Sequence, residues 1–305
     1  MLSGMADTAS GLNIMVQIIA GGAGFIGSHL TSAILAQGGT DVVVLDNLSR
    51  GRTQYLGNAL ATGRCRFIEV DCADPVALGT ALKEALSTRK AQAIWHMAAN
   101  SDIPAGVADP RIDLRDTFMT TFNLLAAMRE IGASRFYFAS SSAVYGDFGD
   151  NEIHEDSAPC RPISNYGAMK LASEAQISAA LECFGEKAAI FRFPNVVGAP
   201  ATHGVIFDFI RKLRADPAHL TVLGDGTQQK AYLHVSDLVE AMLFIAAHGK
   251  EKFDVYNIGP RDDGVTVRFI AQCVVEAMSP QAQVDYGEIR VRIAHAPNVL
   301  SRWES

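Results

Sequence analysis

The hydrophobic positions of this chain fall into short β-branched runs separated by longer stretches with helical spacing. Residues 16–20 (Val-Gln-Ile-Ile-Ala) read as a buried strand, and residues 25–37 follow with apolar positions at a helical period. The alternation repeats. Strands are predicted at 41–45, 66–70, 93–96, 135–139 and 188–193. Between them, a helix begins after Asp74-Pro75, where proline suits the first turn, and further helices are predicted at 111–131 and 164–184. Strands alternating with helices predict an α/β fold, a parallel sheet wound on both faces with ligands at the C-terminal strand ends. From Pro194 the elements shorten: helix 204–214, strand 220–223, helix 235–247, strand 253–258 and helix 265–278. The expected organisation is an extension over 1–14, a dinucleotide-binding Rossmann-type domain over 15–193, and a smaller α/β substrate-binding region over 194–305.

Composition narrows the function classes. The 305 residues are 49% hydrophobic and 19% charged, with a net charge of −7 and no long basic run, which argues against a nucleic-acid partner. No apolar run reaches the ~18 residues of a membrane span, and no signal peptide is evident. Cys65, Cys72, Cys160, Cys183 and Cys273 are scattered without metal-site spacing, and their odd number fits a reducing compartment. The cytoplasm is the expected address. No His/Cys/Asp cluster points to a catalytic metal.

The candidate chemistry starts at Gly21-Gly22-Ala23-Gly24-Phe25-Ile26-Gly27-Ser28, between the first predicted strand and helix. Glycines at 21, 24 and 27 form a tight turn where backbone approaches a pyrophosphate and a helix N-terminus offers unpaired N–H groups. The second strand runs into Asp46, nineteen residues past Gly27, close to the ~20-residue offset of an acid that holds the adenine ribose hydroxyls. Strand, turn, helix, strand and acid in that order point to a bound dinucleotide. Arg50 and Arg52 leave NADP open, whereas Asp46 repels a 2′-phosphate and favours NAD. Small residues at Ala98 and Ala99 suit either a flat cofactor or tight core packing.

Tyr166 and Lys170 stand one helical turn apart on one face. A phenol of unperturbed pKa ~10 is a poor base at neutral pH, but a fixed ammonium and the positive ring of an oxidised nicotinamide favour its phenolate. Ser141 ends a strand that should abut this helix, so its hydroxyl can bond the same substrate oxygen. Serines after strands also serve as caps. His96, at a strand end, reads as structural.

Taken together, several stretches resemble the extended short-chain dehydrogenase/reductase family over roughly 15–287, and within it the nucleotide-sugar epimerases of the UDP-glucose 4-epimerase type. They are the glycine turn, Asp46-Asn47-Leu48, Asp71, His96-Met97-Ala98-Ala99, Ser140 to Gly146, Tyr166 to Lys170, Arg192-Phe193-Pro194-Asn195-Val196-Val197-Gly198, and Gly224-Asp225-Gly226-Thr227. The resemblance implies NAD contacts from Gly21, Gly24, Phe25, Ile26, Gly27, Asp46, Asn47, Asp71, Cys72, Met97, Ala98, Ala99, Tyr166, Lys170 and Pro194. It implies Tyr166 as the base for the sugar 4-hydroxyl, Lys170 as its partner and Ser141 as the catalytic serine. A UDP-sugar would meet Ser141, Ser142, Tyr166, Asn195, His203, Val205 and Lys230, with His203 equally a loop or capping histidine. The implied reaction withdraws hydride from C4, leaves a 4-keto sugar that swings about its diphosphate, and returns the hydride to the other face.

Sugar 4,6-dehydratases of this family carry an Asp-Glu pair after the catalytic Thr; here Ser142-Ala143 stands there. The glutamate of the UDP-glucuronate decarboxylases is also absent. A keto-sugar reductase, or a dinucleotide-binding protein without turnover, are the alternatives. Family members pair through two long helices, here 111–131 and 164–184, so a homodimer is expected. Three departures stand out: Asp116-Thr117 replaces an Asn, Lys230 replaces an Arg on the substrate phosphates, and the chain diverges after 287. There the second phosphate-binding Arg has no counterpart except Arg292.

Overall fold

The computed structural model describes residues 15–87, 89–147, 152–201, 204–262 and 264–287. In chain order the first elements are β1 (Met15–Ala20), α1 (Phe25–Gln37), β2 (Thr40–Asp46), α2 (Gly57–Ala61), β3 (Cys65–Glu69), α3 (Pro75–Leu86) and β4 (Ala91–His96). Next come α4 (Ile103–Ala108), α5 (Pro110–Asp113), a π-helical turn over Leu114–Met119, α6 (Thr120–Ile131), β5 (Arg135–Ala139), α7 (Asn165–Cys183) and β6 (Lys187–Arg192). The chain continues through β7 (Asn195–Val197), α8 (Val205–Ala215), β8 (His219–Val222), β9 (Gln229–Lys230), β10 (Tyr232–His234) and α9 (Val235–His248). It ends in β11 (Phe253–Asn257), β12 (Val265–Thr266), α10 (Val267–Met278) and β13 (Gln283–Tyr286).

A seven-stranded parallel sheet, ordered β11-β6-β5-β4-β1-β2-β3, forms the centre of the first unit. Strand order reverses between β1 and β4, the switch point where doubly wound sheets bind ligands. Both faces are covered, which is why the strands read as continuous apolar runs. Ile18, Phe136, Phe138 and Ile190 pack on one side with Leu124 of α6 and Ile177 of α7. Ile19, Trp95, Tyr137 and Phe191 pack on the other with Leu30 of α1 and Leu238 and Met242 of α9. Local signals agree with these elements. Asp74 caps α3, accepting from Val76 and Ala77 N–H, with Pro75 in the first turn.

The chain forms two compact units. The first comprises the chain up to Thr202 together with Tyr232–Arg261; the second takes the segment between them and the chain from Asp262 onward. This differs from the expected division at 193/194. Helix 235–247 and strand 253–258 were expected in the smaller region, but β11 pairs with β6 in the main sheet, Val255 opposite Ile190. In the second unit β13 runs parallel to β8, β12 pairs antiparallel with β9, and α8 packs on α10.

Candidate active site

The glycine turn follows β1 at the switch point. Gly21 has φ +77°, and a Cβ there would lie 2.6 Å from Ala98 N, against the end of β4. A Cβ on Gly27 would overlap the Gly21 carbonyl oxygen and approach Gly22 Cα to 2.7 Å. These two positions admit hydrogen alone. Gly24 precedes α1 without a side-chain cap, and no acidic residue stands in the first turn, so its first N–H groups favour an anion.

Asp46 ends β2 beneath this turn. Its Oδ2 accepts the Ala23 N–H at 3.0 Å and its Oδ1 the Leu48 N–H at 2.9 Å. Burial raises the Asp46 pKa, and backbone donors from Leu48, Ala23 and Gly24 oppose the rise. Arg50 is paired with Asp102 at 2.7 Å, and Arg52 donates to the Gly51 carbonyl at 2.6 Å.

The other expected cofactor residues stand near the neighbouring strand ends or, for Phe25 and Ile26, in the first turn of α1. Met97 N donates to the Ala20 carbonyl at 2.8 Å, which brings Met97, Ala98 and Ala99 alongside the turn. Phe25 and Cys72 are buried core residues, and Ile26 is half-buried against the same packing as Phe25. Burial, with the charges of Asp71 and Asp46, pushes the Cys72 thiol up to about 12, so it is neutral. Asn47 accepts the Ser49 N–H at 3.1 Å. Asp71 accepts from Ala73 N–H at 2.9 Å and forms an ion pair with Arg115, which also reaches Asp116 at 2.8 Å. Pro194 follows β6.

The catalytic candidates converge at the end of β5 and the start of α7. Ser164 caps α7, accepting the Gly167 N–H at 3.1 Å, which sets Tyr166 in the first turn. The Ser141 hydroxyl bears on the Tyr166 phenol and favours its ionised form. Ser141 Oγ also accepts the Ala143 N–H at 3.2 Å. Lys170 is 2% exposed; its Nζ donates to the Ala139 carbonyl at 2.5 Å and stands 5.7 Å from the Tyr166 ring centroid.

Burial drives both groups toward neutrality. The Tyr166 phenol is pushed up to about 12, with the Ser141 bond opposing and the Asp113 charge assisting. Lys170 is pushed down to about 7, with Glu174 opposing. His96 is fully buried, its Nε2 2.9 Å from Thr121 Oγ1. Burial and the Lys170 charge hold its pKa well below the usual range, which fits the structural role expected of it.

Among the expected substrate residues, Ser142 is exposed beside Ser141, and Asn195 is exposed at the start of β7. Val205 opens α8 and Lys230 lies exposed in β9; both belong to the second unit. His203, Arg292 and the divergent segment beyond 287 lie outside the described residues.

The "NAD dependent epimerase/dehydratase family" model matches residues 17–259. The chain belongs to this family. Among its relatives, the UDP-glucose 4-epimerase of Lacticaseibacillus casei is 31% identical over 264 residues, 80% of this chain and 76% of that protein. A crystal structure of a UDP-galactose 4-epimerase is 35% identical with a TM-score of 0.78, over 90% of this chain and 86% of that one. The Thermus thermophilus UDP-glucose 4-epimerase, solved in complex with NAD, is 30% identical with a TM-score of 0.77, over 90% and 86% of the two chains. The site fits the cofactor of the family: the Gly21 and Gly27 cradle excludes any Cβ, Asp46 lies beneath it, and both nearby arginines are engaged elsewhere.

Sequence reasoning gave no role to four ionisable residues around the site: Asp113, Arg115, Glu174 and Arg192, the last read only as part of the Arg192–Gly198 stretch. Glu174 had a legible signal, because it stands one turn beyond Lys170 on the same helix.

Proposed function

We propose that this chain is an NAD-dependent epimerase that inverts C4 of a UDP-hexose of the UDP-glucose/UDP-galactose type. The observation that carries this reading is the Ser141–Tyr166–Lys170 assembly, which has a base, a hydroxyl relay and a buried ammonium. Ser142-Ala143 follows Ser141, so the position that would serve a dehydratase carries no carboxylate. The kit moves one proton and one hydride, and epimerisation needs nothing more.

Gly21, Gly24, Gly27 and the α1 N-terminus would hold the pyrophosphate of NAD, Asp46 the adenine ribose and Lys170 the nicotinamide ribose. When bound, NAD supplies reversible hydride acceptance and a positive ring. Tyr166 takes the proton of the C4 hydroxyl as phenolate and later returns it. A phenol held near 12 by burial needs positive charge beside it to do so, and the Lys170 ammonium stands 5.7 Å from its ring centroid. Ser141 bonds the same sugar oxygen. Asn195 and Ser142 are assigned to the nucleotide sugar.

We also read the protein as a homodimer. α6 and α7 border an open groove lined by Phe122, Leu125, Ala179 and Phe184, and Phe122 is 45% exposed. All five cysteines are free, which supports a cytoplasmic address, and no described helix is long and apolar enough to cross a membrane.

The deciding experiment incubates purified protein with UDP-galactose, without added cofactor, and resolves the products by chromatography. UDP-glucose is the expected product. Its absence, together with consumption of added NADH on a keto-sugar, would replace the epimerase by a reductase.

A further inference from the structure

Tyr166, Lys170 and Glu174 recur at four-residue intervals along α7, which sets all three on one helix face. The first two belong to the reaction described above. Glu174 does not, yet it is buried almost as deeply as Lys170, at 5% exposed against 2%. A buried carboxylate demands partners, and Glu174 has them on both oxygens. Arg192 Nε donates to Oε1 at 3.0 Å and Nη2 to Oε2 at 2.6 Å. The Ser140 hydroxyl also donates to Oε1. Arg192 then donates through Nη1 to the Tyr145 hydroxyl at 2.9 Å and to the Glu155 carbonyl at 3.2 Å. Replacing such a pair by apolar residues is often neutral or stabilising, so stability alone does not account for it.

The contacts of Glu174 indicate another use. Ser140 lies between Ala139, whose carbonyl takes the Lys170 ammonium, and Ser141, whose hydroxyl bears on the Tyr166 phenol. Glu174 therefore acts on the catalytic group from two directions. We propose that Glu174, clamped by Arg192, is a positioning residue of the reaction. Its charge keeps the neighbouring Lys170 in the ammonium form, and its bond to Ser140 pins the turn that presents Ser141.

The groups around Lys170 leave this task to Glu174. Tyr166 on the same helix is neutral until it reacts. From β4, His96 is held neutral by its burial and by the Lys170 charge. From β5, Ala139 offers a carbonyl dipole and Phe138 a ring face, 4.6 Å from Nζ to centroid. On β6, Arg192 is turned to Glu174 and Tyr145, and Asp113 bears on Tyr166. Burial brings Lys170 down to about 7, and Glu174 is the charge that resists the fall.

The proposal rests on Tyr166 and Lys170 as the base and its partner, so its test includes a readout that needs no turnover. Lys170 titrates near 7 when folded against 10.5 as a free side chain. The unfolded chain thus binds more protons between those values, and stability rises with pH across that window. Comparing Tm against pH for the NAD-loaded wild type and Lys170→Met isolates the window. In Glu174→Gln it should open about one pH unit lower, and the alkaline limb of kcat in the epimerase assay should move down with it. Glu174→Asp keeps the charge and should leave both in place. If Glu174→Gln does not fold, Glu174→Gln/Arg192→Met removes both charges together and should shift the window in the same direction. A folded neutral variant with the wild-type window overturns the proposal. So does failure of both neutral variants to fold while Glu174→Asp folds, since the pair is then only structural. A protein that epimerises no UDP-sugar still yields the Tm comparison, so the two readings fail separately.

Discussion

Arg50 Nη2 meets Asp102 Oδ2 at 2.7 Å, joining the loop after β2 to the loop after β4. β1 lies between those strands in the sheet, so the bridge crosses the strand end that carries the glycine turn. Both side chains are about two-fifths exposed, and such pairs contribute ~0–1 kcal/mol. Arg50→Ala should therefore hasten release of bound NAD by no more than about five-fold, with Tm nearly unchanged. Displacement of NAD by an excess of labelled NAD measures this. An unchanged release rate would detach the bridge from cofactor retention.

Gly27→Ala should lose NAD while keeping the fold. Its methyl would overlap the Gly21 carbonyl, and relief of that overlap displaces the turn at a cost of about 1–3 kcal/mol. Isothermal titration with NAD and a thermal melt separate the two effects. Full NAD affinity in this variant would contradict the placement of the pyrophosphate.

Tyr166→Phe removes the proton acceptor and leaves the ring. Turnover should fall about 10²–10⁴-fold, the usual span for loss of a general acid–base group, with NAD still bound. Assay of UDP-galactose conversion beside the ultraviolet spectrum of the purified variant checks both statements. Near wild-type turnover would remove Tyr166 from the chemistry.

These predictions rest on parts of the molecule that were unequally legible. The β1–turn–α1 unit could be read directly, because the change from strand to helical periodicity coincides with Gly21, Gly24 and Gly27; the expected helix 25–37 is α1 itself. β5 was legible as an apolar run between a helical stretch ending at 131 and the serines at 140–142. β11 was seen as a strand but assigned to the wrong unit. Nothing in Phe253-Asp254-Val255-Tyr256-Asn257 names its partner, since a parallel neighbour is chosen by the path of the crossover helix α9. α4 went unread because Pro104 and Gly106 suggest a loop. At the site, Ser141, Tyr166 and Lys170 were found from spacing and resemblance, whereas Arg192 is tied to Glu174 only by packing across 18 residues of chain.

Phe122→Glu should yield a monomer. A charge in the apolar groove between α6 and α7 opposes burial against a second copy, and light scattering on an eluting peak reads the mass. A dimer that survives this change would place the subunit contact elsewhere.

The central sheet is completed out of order, its edge strand β11 arriving after the chain has left for the second unit and returned. The cofactor-binding half of this protein therefore cannot be cut out as one continuous piece. A fragment ending near 201 would retain the glycine turn, Tyr166 and Lys170, yet it would lack α9 and β11. It would bare the β6 edge and the apolar surface that Leu238 and Met242 cover. Such an unpaired parallel edge invites self-association. An insertion into this chain belongs within 204–231 and a truncation beyond 261, so that β11 stays with the strands it closes.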